Sequence, residues 1–326
     1  MFRRTASVVM CWMLLIPSSG FSWGPEGHRI VAKIAAKNLS PDARKKVAAI
    51  LGTTDAKLEA AMATAATWPD DGLDKKKTKT DLWHFVDVPI AGQFSIGHLC
   101  DNDECVLNRI DEMSWRLQKN EKNFKLAAPP TMPRSMTSQE VAFLIHFVGD
   151  VHQPLHAANN GDRGGNCEPL KTPILHPPFD TKEFHAAWDD DEVRAVLKKE
   201  NATEDTIALA LFNRFKMGAQ VPQLTPLDWA RESNELARKD AYTKLMVPAH
   251  NAPPGTCDPT IKSTMEKVDV NQQYLDGNVG DVEVQLMRAG IRLSNVLNQI
   301  CAGEGCKVVT SGSRGGNNKK GRGSRS

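Results

Sequence analysis

Two pairs of side chains set a histidine and an aspartate four positions apart. They are His146 with Asp150 in "HFVGDVHQPLH" and His185 with Asp189 in "FHAAWDDDE". On a helix four residues make about one turn and about 6 Å of rise, so each pair shares a face. Imidazole nitrogen and carboxylate oxygen form a donor set suited to a divalent transition metal, above all zinc. One such pair is also the ordinary form of a helical ion pair. Here the pairs have company. His156 follows Pro154 at the end of the first, "TWPDD" supplies Asp70, "LWHFVDVP" supplies His84, and "WGPEGHR" supplies His28.

Asp150 also lies in a demanding place. The preceding stretch is apolar through Val141, Phe143, Leu144, Ile145, Phe147 and Val148. A carboxylate on such a helix is costly unless something neutralises it. His98, His152, His176 and His250 fit no such group and are expected to be structural or surface residues.

The elements that must position these residues read as helices. Thr137 and Glu140 fit a capping box for the His146 helix, and Pro154 ends it near Asp150. Ile30, Val31, Ile34 and Ala35 form one apolar face directly after His28. "SPDARKKVAAILG" opens on Ser and Pro and closes on Gly. Val106, Leu107, Ile110, Met113 and Leu117 make a further stripe. Val282, Leu286, Ala289, Leu293, Leu297 and Ile300 make a long one. Turn-rich breaks fall at 69–81, 89–103, 127–135, 157–180 and 248–260, and no segment reads as a strong β-hairpin. The expectation is a single all-α domain spanning residues 23–308.

Residues 1–22 have the pattern of a secretory signal. Arg3 and Arg4 precede a short apolar run from Val8 to Ile16, and Gly20 and Ser22 suit a cleavage site. Cleavage after Ser22 makes Trp23 the first residue, and the chain is expected to be secreted or periplasmic. The apolar run is too short to span a bilayer, so no stable membrane insertion is expected. Six cysteines follow the leader: Cys100, Cys105, Cys167, Cys257, Cys301 and Cys306. An even number in an exported chain suggests disulfides. The close spacing of the first and last two favours pairing them, but the connectivity stays open and zinc thiolates are the alternative. Residues 309–326 are rich in Gly, Ser and basic side chains, have no acid, and read as a disordered tail.

Taken together, Trp23, His28, "WPD", "WHFVD", "HFVGDVHQPLH", "GDRGGN" and "FHAAWD" resemble the S1/P1 nuclease family. The match runs in order over roughly 23–190, and bacterial zinc phospholipases C share the metal scheme. The resemblance implies a helical phospholipase C/P1 nuclease-like fold and three zinc ions. One would be held by Asp70, His84, His146 and Asp150, and a second by His156, His185 and Asp189. The third would be held by His28, by Asp150 as a bridge, and by the amine and carbonyl of Trp23.

Asp150 and Asp70 are thereby the expected catalytic carboxylates. The implied reaction cleaves single-stranded DNA and RNA to 5′-phosphate products, with 3′-nucleotidase activity; nucleotides are ligands and no protein partner is implied. Phe85 and Asp87 would receive the base by stacking and edge contact, and Asn166 would line the same site. One departure stands out. Some family members have a phosphate-contacting arginine where this chain has Leu73, with Lys75, Lys76 and Lys77 nearby. The alternative reading is a zinc phospholipase C, which needs an apolar rim in place of a base platform.

Overall fold

The computed structural model describes residues 23–71, 78–100, 104–120, 136–176, 180–248, 250, 252–253, 255–261 and 267–307. The leader, the basic tail, Leu73 and the three lysines Lys75, Lys76 and Lys77 lie outside those residues, as does the break at 127–135.

Local rules set most helix ends. Helix α1 (Pro25–Asn38) starts on proline, and α2 (Pro41–Ile50) is capped by Ser40, whose Oγ accepts the Ala43 N–H at 3.3 Å. Helix α3 (Leu58–Asp71) continues through Pro69 to place Asp70 in its last turn. The break expected from residue 69 therefore begins later. α4 (Val106–Lys119) and α5 (Met136–Asp150) follow. α5 begins at Met136, at the edge of the described residues, and Glu140 accepts the Arg116 Nε–H at 2.9 Å in a buried ion pair that links α5 to α4.

One small β element interrupts the helices. Strand β1 (Pro169–Ile174) pairs antiparallel with β2 (Thr181–Glu183) inside a stretch that reads as turn. A helical turn at Phe184–Ala186, a π-turn at Ala187–Asp191 and helix α6 (Glu192–Lys199) come next. α7 (Glu204–Lys216), α8 (Pro226–Leu236) and the long α9 (Gln272–Ile300) complete the set. The architecture is all-α apart from the strand pair.

Packing explains why α5 tolerates so many apolar residues. From Ser138 to Asp150 every side chain is buried, with α3 and α4 against it and α1 and α9 also in contact. α1 is the hub of the other layer and packs on α3, α7 and α9. Gly290 makes the α1–α9 contact close: a Cβ there would lie 2.5 Å from Ile34 Cβ and 3.0 Å from the Val31 carbonyl oxygen. His152 is a core residue, donating from Nδ1 to the Val148 carbonyl at 2.7 Å and accepting from Arg292 at 2.9 Å.

Three disulfides join Cys100 to Cys105, Cys167 to Cys257 and Cys301 to Cys306. Among the described residues no helix is long and apolar enough to cross a membrane. The tight α1–α9 contact gives a direct test. Gly290→Val should force the helices apart and cost about 1–3 kcal/mol, read as a lower midpoint in thermal or urea unfolding.

Candidate metal centre

Four separate elements deliver the donors. α5 supplies His146 and Asp150, α3 supplies Asp70, and a short 3₁₀ turn at Asp81–His84 supplies His84. α1 contributes His28 from its first turn. Around Asp150 the spacing is tight. Its Oδ2 lies 3.1 Å from His84 Nδ1 and 3.3 Å from His146 Nε2, and its Oδ1 lies 3.3 Å from His28 Nε2. Asp70 Oδ1 is 3.5 Å from His146 and 3.6 Å from His84. The His28 and His146 rings stack with centroids 4.0 Å apart.

Close approach of α1 to α5 depends on Gly149. A Cβ there would fall 2.7 Å from His28 Nδ1. The residue beside Asp150 must be small for His28 to reach it.

The second group is built after the chain turns at Pro154. His156 sits in a 3₁₀ turn (Pro154–Ala157), His185 in the turn Phe184–Ala186, and Asp189 in the π-turn. His156 Nε2 and His185 Nε2 face each other at 3.1 Å, and they lie 3.7 and 3.5 Å from the Asp189 oxygens. The sequence spacing suggests a plain α-helical turn for His185 and Asp189, whereas the backbone is wound wider. π-turns of this kind occur often at functional sites.

The orientation of the imidazoles bears on whether the donors suit zinc. His146, His156 and His185 each turn Nδ1 toward a backbone carbonyl, those of Ala66, His84 and Gly164, at 2.7, 2.8 and 2.6 Å. Only a protonated Nδ1 can donate there, which leaves each Nε2 with a lone pair aimed inward. Two such lone pairs at 3.1 Å repel unless a cation is shared between them. The donor separations of 3.0–3.7 Å also suit a tetrahedron whose bonds are about 2.0–2.1 Å, with an edge of roughly 3.3 Å. Groups able to hold a metal are therefore His28 with His146 and Asp150, Asp70 with His84 and His146, and His156 with His185 and Asp189. The residues fit.

Electrostatics separates the two central carboxylates. Burial opposes ionisation of Asp150, but His146 and the contacts from His28 and His84 outweigh it and hold the carboxyl far below its usual range. Asp189 has fewer donors, chiefly Gln153 Nε2–H at 2.7 Å, and burial pushes it well above the usual range. Burial also lowers His28 to about 4, aided by repulsion from His146.

Trp23 is fully buried. The chain immediately after it is tied to the π-turn, since the Gly24 N–H donates to the Asp189 carbonyl at 2.8 Å. Phe85 and Asp87 follow His84 and are half-buried. Burial raises Asp87 to about 6, opposed by the Gly255 N–H and by Arg163. Asn166 turns its Nδ2 onto the Arg163 carbonyl at 2.9 Å, so its amide braces its own loop. Gln153 and Gly149 lie inside the quoted "HFVGDVHQPLH" run, but their roles show only once the helices are packed.

The chain is similar to known proteins along most of its length. Residues 23–302 match the S1/P1 nuclease family model. Endonuclease 2 of Arabidopsis thaliana is 25% identical over 302 residues, covering 90% of this chain and 95% of the relative. Nuclease P1 of Penicillium citrinum is 22% identical over 291 residues, covering 86% and 99%. Nuclease S1 of Aspergillus oryzae is 25% identical over 297 residues, covering 86% and 93%. With nearly the whole described body inside the match and the histidine–aspartate groups assembled within it, the chain belongs to the S1/P1 nuclease family.

Proposed function

We propose that this protein is an exported zinc-dependent endonuclease that binds three zinc ions and cleaves single-stranded DNA and RNA to 5′-phosphate products, with 3′-nucleotidase activity. The observation that carries the reading is the convergence of buried imidazole and carboxylate donors about Asp150 and Asp189 at zinc-ligand spacing. Asp70, His84, His146 and Asp150 form one ligand set, and His156, His185 and Asp189 another. His28, Asp150 and the first residue, Trp23, form the third. Zinc supplies Lewis acidity, which acidifies water toward neutral pH and offsets charge at a phosphoryl centre.

The chain's own residues do the rest. Asp150 directs one oxygen to His28 and the other to His84 and His146, so one carboxylate links two donor groups. Asp70 brings a second carboxylate to the same His84 and His146 nitrogens. Gln153 orients Asp189 through its amide, and the three carbonyl contacts orient the imidazoles. Phe85 offers a face for one base and Asp87 an acceptor for its edge. A base stacked within a duplex cannot lie on such a face, which favours single strands.

Removal of residues 1–22 is part of this reading. A free α-amine has a pKa of about 7.7–8.0 and is easily deprotonated in favour of a metal. Amine and carbonyl of one residue can then chelate together. The burial of Trp23 and the Gly24–Asp189 bond support a fixed seat for that residue.

Elemental analysis of the mature protein, paired with hydrolysis of single- and double-stranded substrates, tests the proposal. Three zinc ions per chain and loss of activity in chelator are expected; full activity without metal would refute it. Asp150→Asn should remove at least one zinc and lower turnover by a factor of about 10³ or more. One extra residue before Trp23 should lower zinc content by about one ion with little change in the fold, read by metal analysis beside circular dichroism.

A further inference from the structure

The "GDRGGN" loop contains an oddity of backbone chemistry. Gly161, Gly164 and Gly165 adopt φ of +75°, +62° and +85°, where glycine is at ease. Arg163 sits among them at φ +57°. A non-glycine residue in that region is strained, and strain held at a site points toward use of the side chain. Glycine would satisfy this backbone better than arginine.

The loop is held hard. The Gly164 carbonyl accepts from His185 Nδ1, and a Cβ on Gly164 would lie 2.5 Å from the Leu155 carbonyl oxygen. Asn166 donates to the Arg163 carbonyl from both its backbone and its side chain. Tyr242 OH donates to Asp162 at 3.1 Å, and the Cys167–Cys257 disulfide closes the far end. Mobility does not explain the strained residue. Its side chain is exposed and makes no hydrogen bond or ion pair with the described residues. Yet the guanidinium is within electrostatic range of both Asp87 and His185. The loop that carries it touches both places: the Gly164 carbonyl accepts from His185 Nδ1, and the Gly161 carbonyl accepts from the Asp258 N–H, in the segment whose Gly255 N–H donates to Asp87.

We propose that Arg163 is a substrate-binding residue that holds a phosphodiester oxygen of the strand next to the base seated at Phe85 and Asp87. A guanidinium in this place supplies the planar, paired donors that phosphate oxygens accept. The inference rests on the single-strand nuclease reading above.

The test uses the mature zinc-loaded protein, oligothymidylate as substrate, and two variants. Arg163→Ala should raise KM about five- to twentyfold, change kcat less than threefold, and leave zinc content unchanged. The slope of log(kcat/KM) against log salt should flatten by about 0.7–1, as expected on losing one phosphate contact. Arg163→Gly should raise KM as much while melting at a higher temperature, since it relieves the left-handed strain. Unchanged KM and salt slope in both variants would overturn the assignment. So would loss of zinc or a collapse of kcat at constant KM, which would mark Arg163 as support for His185. A wild-type protein that never cleaves the oligonucleotide would sink the nuclease reading itself, a result distinct from either.

Discussion

Asp150 is a carboxylate with no solvent exposure at the end of a helix whose described side chains are all buried. Much of the molecule is arranged around that fact. An ionised group there is costly alone and acceptable only with positive or hydrogen-bonding partners on every side. Those partners cannot come from α5 by itself, because one helical face supplies only His146. They must arrive from α1 as His28 and from the 81–84 turn as His84. Asp70 of α3 adds a further carboxylate to the same pocket, which deepens the need for a cation. Placing four elements on one carboxylate is a demand on the packing of the whole core.

The packing meets that demand with small residues at defined contacts. Gly149 lets an imidazole lie where a methyl group would collide, and Gly290 lets α1 approach α9 closely. Backbone carbonyls of Ala66, His84 and Gly164 then fix three rings so that their remaining nitrogens point inward. One of these carbonyls belongs to His84 and so joins the two donor groups. The imidazole of one group and the backbone of another form a single unit, and moving His84 would disturb His156 as well.

The loop around the second group is stiffened by different means. The Cys167–Cys257 link spans 90 residues and in the chain-entropy view is worth about 4–5 kcal/mol. It ties the "GDRGGN" loop to the segment that donates to Asp87. A rigid loop beside a metal centre lets substrate contacts be set by backbone geometry rather than by side-chain search. That is also where a strained arginine is kept.

Much of this was legible in the residue order, for a physical reason: helix periodicity, caps and four-residue spacing are local properties. The apolar stripes of α1, α4 and α9, the Ser40 cap, and the pairing of His146 with Asp150 are set by rules acting within one or two turns. The family likeness rests on such local words. Tertiary structure decided the rest. Glu140 pairs with Arg116 of α4, α3 runs through Pro69, and the His185–Asp189 turn takes a π form, none of which local spacing announces. Which carboxylate ionises easily, which glycine makes room for a ring, and why Arg163 holds an unfavourable backbone angle all depend on neighbours far away in sequence. The residue order specified the donors and their local spacing; only packing brought them to separations of 3.0–3.7 Å, since Coulomb and steric terms depend on distance through space.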